Sequence, residues 1–301
     1  MKKTLFIVIC VCVSVSRCAA QDKPVAADGM IVGVDKTALS ILISCEAIPG
    51  YMDAMEMQFK VRSATVLDGL RPGVTVHFAM AKSGAEMFAD DIQIVRKVNG
   101  EAEPAEAARL EVLRRAVNPA TSRKAVEVGQ EVPDFALIDQ EHKEIHFSQF
   151  RGKVVALTFG YSRCPNPNYC FRLSNNLALL QRRFSGPKSK ELMLITVLMD
   201  PANDQAEALT AYAEAWKADP ATWHFLTGPV EQVRNVAALF GMNFWNDEGF
   251  LTHSFRTAVV DRDGRLVANL EGNQFTAKQL GDVVESVLDG KTRDADAAGK
   301  R

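Results

Sequence analysis

The feature that most narrows the possible folds is a change of rhythm near Val128. From there, short apolar runs alternate with stretches of helical periodicity. Lys153 to Phe159 reads as a buried strand and Phe171 to Phe184 as the helix after it. Leu192 to Leu198 is a second apolar strand, followed by helices over Ala206 to Ala218 and Val230 to Phe240. A hairpin over Phe255 to Leu270, turning at Asp263-Gly264, and a last helix near Lys278 to Leu288 close the series. Apolar runs of strand length without alternation belong to sheets covered on both faces. Alternating β and α units of this kind predict an α/β sandwich.

The first third is patterned differently. Short strands are expected over Met30 to Val34, Ala38 to Ser44, Met55 to Val61, Val74 to Met80 and Ile92 to Val95. Turn signals separate them at Asp35-Lys36, Pro49-Gly50, Arg71-Pro72-Gly73 and Ser83-Gly84. Five short strands in so few residues predict a small all-β barrel of the OB kind. Between the two patterns, Asn99 to Gly129 is rich in Ala, Glu and Arg. A helix is expected there over Ala105 to Ala116, stopped by Asn118-Pro119, in a partly rigid linker. The resulting division is a barrel over 27–97, a linker over 98–125, an α/β domain over 126–290 and a polar tail over 291–301. A chain of 301 residues, 47% hydrophobic and 24% charged, is long enough for two modest cores. Its net charge of −2 leaves no basic footprint for nucleic acid.

The N-terminus predicts export. Lys2 and Lys3 precede an apolar run from Leu5 to Val15 that is too short to span a bilayer, and Cys18, Ala19 and Ala20 follow as a cleavage region. Residues 1–20 are therefore expected to leave as a signal peptide, placing the protein in the periplasm. Acylation of Cys18 would instead hold it at a membrane surface, but Arg17 stands where that processing wants a small residue. Of six cysteines, Cys45, Cys164 and Cys170 remain after cleavage. An odd number in an oxidising compartment leaves at least one thiol for metal or redox work.

Sulfur is concentrated in Cys45-Glu-Ala-Ile-Pro-Gly-Tyr-Met52-Asp-Ala-Met55-Glu-Met57. Met55 and Met57 are two apart and share one face of a strand; Met52 lies just before it and Cys45 ends the preceding strand. Thioether and thiolate donors select Cu(I) over hard cations. The same spacing also suits Met55, Met57 and Phe59 as the inward face of a half-buried strand. A second cluster follows the strand ending at Phe159: Gly-Tyr-Ser-Arg-Cys164-Pro-Asn-Pro-Asn-Tyr-Cys170, then a helix. Cysteines at a helix N-terminus are favoured as thiolates by the macrodipole, although a structural disulfide would explain the pair as well. His253, in Leu-Thr-His-Ser-Phe before the hairpin, is the third candidate, because that hairpin is expected to pack beside the cysteine loop. Asp204 with Glu207 reads as an ordinary capping box. Asp261-Arg-Asp263-Gly264 reads as a hairpin turn rather than a calcium loop.

The barrel segment, over roughly Gly29 to Val95, resembles the periplasmic copper-binding CusF-like family, whose pattern is carried by the Met55-x-Met57-x-Phe59 run. That family binds Cu(I) with a His, a Trp and two Met. The resemblance puts Met55 and Met57 on the Met positions, Cys45 where the family has His and Met52 where it has Trp. The second part, about Val128 to Leu288, resembles the Sco/SenC family through Gly-Tyr-Ser-Arg-Cys164-Pro, Met-Asp200-Pro-Ala-Asn-Asp204 and Thr-His253-Ser-Phe. This implies a thioredoxin-like fold and a copper site of Cys164, Cys170 and His253. It also implies delivery of copper to an acceptor such as a cytochrome oxidase subunit. The cysteines here are separated by five residues where the family has three. The rival reading is a thiol–disulfide oxidoreductase using Cys164 and Cys170. Such enzymes carry a proline facing the cysteine pair, and no proline follows Pro229. The expectation is thus a two-domain copper metallochaperone, in which tethering supplies a local concentration of roughly millimolar between the sites.

Overall fold

The computed structural model describes residues 23–95, 125–165, 167–247 and 250–290. The expected signal peptide over 1–20, the linker helix over Ala105 to Ala116 and the tail over 291–301 lie outside them. The N-terminal part is a closed barrel of strand order β1-β2-β3-β5-β4. Its strands are β1 (Val25–Asp35), β2 (Ser40–Cys45), β3 (Met55–Lys60), β4 (Thr75–Ser83) and β5 (Glu86–Ile94). Ile31, Ile41, Ile43, Phe59, Val76 and Phe78 fill it, with Phe59 edge-on to Phe78 at 5.1 Å. β5 begins at Glu86, well before the apolar signal at Ile92. Its acidic residues Asp90 and Asp91 hid the strand, yet Asp90 is held by a bidentate pair with Arg62 at 2.7 and 2.8 Å.

The second part holds β6 (Ala136–Asp139), β7 (Glu144–His146), β8 (Val154–Gly160), β9 (Leu192–Leu198), β10 (Trp223–Thr227), β13 (Arg256–Val260) and β14 (Leu266–Glu271) in one sheet of order β14-β13-β8-β9-β10-β6-β7. A separate hairpin is formed by β11 (Phe244–Asp247) and β12 (Phe250–His253). The helices are α1 (Arg172–Arg183), α2 (Ala206–Ala215), α3 (Val230–Leu239) and α4 (Ala277–Leu288). Every residue of β8 and β9 is buried, and the two strands run parallel. One face is covered by α1, α2 and α4, through Leu173, Leu177, Leu209 and Leu280. The other is covered by α3, through Val233 and Val236, with Phe147 and Phe150. The Asp263-Gly264 turn is fixed by the Asp261 carboxylate, which accepts the N–H groups of Asp263 and Arg265, both at 2.9 Å.

The two parts are docked as well as tethered. β1 is buried on both sides: Ala27 and Ile31 point into the barrel, while Met30 and Val32 join the cluster containing Ala268, Leu270, Leu280 and Val283. Gly73, at φ +86°, lets its turn approach so closely that a Cβ would lie 3.0 Å from Leu270 Cδ1 and 3.2 Å from Ala268 Cβ. A polar seam runs beside this contact. Ser44 Oγ donates to the buried Asp282 carboxylate at 2.6 Å, and Arg183 and Lys278 donate to the same group at 2.7 and 2.6 Å. A carboxylate 3% exposed is tolerable with several donors and costly without them.

Gly29 faces Cys45 across β1 and β2. A Cβ there would come within 2.5 Å of Ile43 Cγ2 and 2.9 Å of the Ser44 carbonyl. Because backbone forms part of that wall, Gly29→Ala is expected to destabilise the protein by about 1–3 kcal/mol, as read from urea unfolding.

Candidate metal centres

The thiol site is built at the C-terminal end of β8. After Gly160 the chain turns sharply, with Cys164 N donating to the Tyr161 carbonyl at 3.3 Å, and re-enters a helical path through a π-turn over Pro167–Phe171. This brings Cys170 to the start of α1 and buries it, 1% exposed, against the backbone of Gly160; Cys164 stays half-exposed. β13 lies antiparallel to β8 with Thr257 opposite Thr158, so the residues just before β13 arrive beside the cysteine loop. His253 is there, 6% exposed, with Nε2 3.7 Å from Cys170 Sγ. Its Nδ1 lies 2.8 Å from the Ser254 carbonyl. A carbonyl only accepts, so Nδ1 carries the proton and Nε2 presents its lone pair to the sulfur. Burial pushes the His253 pKa down to about 4, opposed by that hydrogen bond. The imidazole is therefore neutral at pH 7, the form a metal needs.

Cys164 and Cys170 are thiols rather than a disulfide. The expectation that the helix N-terminus would favour a thiolate is corrected at Cys170. The hydrogen bond to Cys164, and then burial, push its pKa well above the usual thiol range. Two thiols sharing a proton in an apolar site resist losing it, and this outweighs the macrodipole. Tyr161 closes the site, edge-on to His253 at 5.9 Å and hydrogen-bonded to Cys164. Among the described residues, no three His, Cys, Asp or Glu side chains are already arranged to hold an ion. Cys170 and His253 are in place, and Cys164 is hydrogen-bonded to Cys170.

Asp204 is a second correction. α2 is capped at Gln205 without a side-chain bond, so the Asp204–Glu207 capping box does not form. Asp204 is instead fully buried and faces the cysteine turn. Its carboxylate accepts the Ser162 N–H at 3.0 Å, the Ser162 hydroxyl at 2.5 Å and the Asp200 N–H at 3.1 Å. Sequence spacing alone could not tell a cap from a group turned inward. The one available signal was its place in the Asp200-to-Asp204 segment, whose strand ends at the same edge as the cysteine strand. Burial raises its pKa.

In the barrel, Cys45 is opposite Met55, and Ile43 opposite Met57, across β2 and β3. Residues directly opposite share a face, so Cys45, Met55 and Met57 line one inward stripe that emerges at the barrel mouth. Exposure falls along β3 from Met55, 48% exposed, through the half-buried Met57 to the fully buried Phe59. Met52, half-buried, is folded back by its bridge to Ile48 and packs on the same core. Cys45 differs from the thiolate donor expected there. It is 1% exposed, its sulfur 3.8 Å from the Ile43 carbonyl, and burial pushes its pKa up to about 12.

The SCO1/SenC profile matches residues 123–289, more than half of the chain. The chain belongs to the SCO1/SenC family. Residues 24–94 match the profile of the copper-binding periplasmic protein CusF. A "Putative copper-binding protein" of Stutzerimonas stutzeri is 26% identical over 140 residues, 45% of this chain and 66% of that protein. Protein sco1 of Schizosaccharomyces pombe is 22% identical over 162 residues, 50% of this chain and 59% of that protein. The chain thus spans about three fifths to two thirds of these relatives. Among solved structures, yeast Sco1 with copper bound is 23% identical, with TM-score 0.48 over 57% of this chain and 95% of that one.

Two outcomes follow. Asp204→Asn retains the size but loses one accepting oxygen beneath Ser162, and is expected to speed alkylation of Cys164 severalfold while Cys170 stays protected. Thiol mapping by mass spectrometry reads both rates. For His253, a depressed folded pKa means that between pH 6.5 and about 4 the unfolded chain binds the extra proton. Its contribution to stability is complete above that window and is lost as pH falls through it. His253→Gln should flatten this part of the pH–stability curve of the metal-free protein.

Proposed function

We propose that this chain is an extracytoplasmic copper metallochaperone that binds Cu(I) at two sites and delivers it to an acceptor protein. A cytochrome oxidase subunit is the expected destination. The observation that carries this reading is the neutral, tautomer-fixed His253 aimed at Cys170, both side chains being buried. Disulfide exchange needs thiols but no lone-pair nitrogen held against them. Two thiolates and an imidazole are a soft donor set suited to Cu(I), and the thioethers of Met52, Met55 and Met57 offer a second.

Copper is the cargo. On binding, Cys164 and Cys170 give up their protons to solvent, and His253 Nε2 donates without losing one. Because Cys170 starts with a raised affinity for its proton, capture releases protons and strengthens as pH rises. The half-exposed Cys164 is the natural sulfur to meet an acceptor, while Cys170 and His253 stay behind as the buried part of the site. The charged and apolar segments of residues 1–20 support export, and no helix among the described residues is long and apolar enough to cross a membrane. The polar network around the cysteine turn gives the oxidoreductase alternative its own basis, the hydrogen-bonded Cys164–Cys170 pair.

An anaerobic Cu(I) competition titration separates these. The full chain should bind two Cu(I). Met55→Leu with Met57→Leu, and separately Cys164→Ser with Cys170→Ser, should each leave one. Loss of a nearby hydrogen bond is worth about 1 kcal/mol, roughly fivefold in affinity, so His253→Ala should weaken the thiol site by much more than that. Unchanged copper affinity in His253→Ala, together with lost reductase activity toward a model disulfide, would favour the oxidoreductase.

A further inference from the structure

Cys45 in the barrel and Cys170 at the thiol site are each flanked by residues anchored to one short stretch of chain. On the barrel side, Ser44 and Glu46 bracket Cys45. Ser44 Oγ donates to Asp282 at 2.6 Å, and Glu46 accepts from Gln279 Nε2 at 3.4 Å. On the thiol side, Asn168 and Arg172 bracket Cys170. The Asn168 carbonyl accepts from the buried Asn273 side chain at 2.6 Å, while Arg172 donates to the carbonyls of Asn273 and Gln274 at 2.7 and 3.0 Å. Asn176, one turn further along α1, donates to the Phe275 carbonyl at 3.2 Å. Residues 273–282 therefore clamp the cysteine loop with their first three residues and the end of β2 with their first helical turns.

The stretch is stiff. Thr276 caps α4 in a reciprocal box with Gln279, the same residue that reaches Glu46. From Thr276 to Asp282 the helix advances only about 9 Å. Met30 and Val32 fill the contact beside it, so the barrel is seated on this helix by apolar packing as well as hydrogen bonds. A flexible tether would set an average distance between two sites, whereas a shared mount sets a direction.

We infer that the barrel of the same chain is the copper donor to the Cys164/Cys170/His253 site, with Asn273–Asp282 as the common mount to which both sites are anchored. This rests on the copper reading above. The step is a ligand exchange without redox change. Bonds from Cu(I) to barrel thioethers break as bonds to the Cys164 and Cys170 sulfurs form, the two thiol protons pass to solvent, and copper stays Cu(I) throughout.

The test uses the full chain under anaerobic conditions with Cu(I) as the probe, following the ultraviolet thiolate-to-copper band after substoichiometric addition. Arrival at the thiol site should be first order, with a rate independent of protein concentration. A mixture of two variants, Cys164→Ser/Cys170→Ser as donor and Met55→Leu/Met57→Leu as acceptor, should be concentration-dependent. At micromolar protein it should be about a thousandfold slower, given a millimolar effective concentration within one chain. Gln279→Ala, and as a second variant Asp282→Asn, should slow the wild-type transfer severalfold while the equilibrium affinities of both sites, measured separately, stay unchanged. A wild-type rate proportional to protein concentration, with both sites intact in the titration, would overturn this inference alone. A titration lacking one of the sites would remove the reading beneath it and this inference with it.

Discussion

The fourteen buried positions of β8 and β9 set the geometry of everything functional in the second domain. A parallel pair with no exposed residue must be covered on both faces, and its two strands leave the sheet at the same edge. That edge therefore receives the cysteine turn from β8 and the Asp200-to-Asp204 segment from β9, where Asp204 reaches across to Ser162. β13, antiparallel to β8, returns to the same edge from the other side and brings His253 with it. A two-Cys, one-His set assembled from distant parts of the chain is a consequence of this strand order.

The chemistry of the site follows from the burial that creates it. Desolvation disfavours every charged form, lowering the imidazole pKa and, with the shared hydrogen bond, raising that of Cys170. Before copper arrives Nε2 stands ready and Cys170 holds its proton, while Cys164 remains half-exposed. The same physics acts on Cys45 in the barrel, where burial keeps the sulfur protonated while Met55 stands 48% exposed at the mouth. Thioethers carry no proton, so the methionine end of the barrel is available at any pH.

The domain seam is built on a different balance. Asp282 is nearly inaccessible, yet it draws donors from three elements: β2, α1 and α4. Its charge is offset locally by Arg183 and Lys278, and the surrounding contact of Met30 and Val32 with Ala268 and Leu270 is apolar. Such a seam favours one relative placement of the domains over many, because any other would leave a buried carboxylate short of donors.

Much of this was legible in the residues. Strand-length apolar runs gave β8 and β9, period-two sulfur gave the shared face of Met55 and Met57, and Asp263-Gly264 gave the hairpin turn. These signals are local, since they depend on side-chain period and turn chemistry. The sequence also marked Cys164 and Cys170 as candidates by their place before a helix and by resemblance, and His253 by resemblance and expected packing order. Other features were decided by tertiary structure alone. Asp204 turned inward instead of capping, and there it accepts from Ser162, forty-two positions away. β12, which carries His253, was missed because its pairing with β11 is what makes it a strand. The outward residues Met30 and Val32 looked like ordinary strand positions, and their burial exists only because a second domain covers them. Sequence spacing determines what a residue can do within its own element. Which group meets it across the fold, and whether water is present when it does, is settled by packing between elements far apart in the chain.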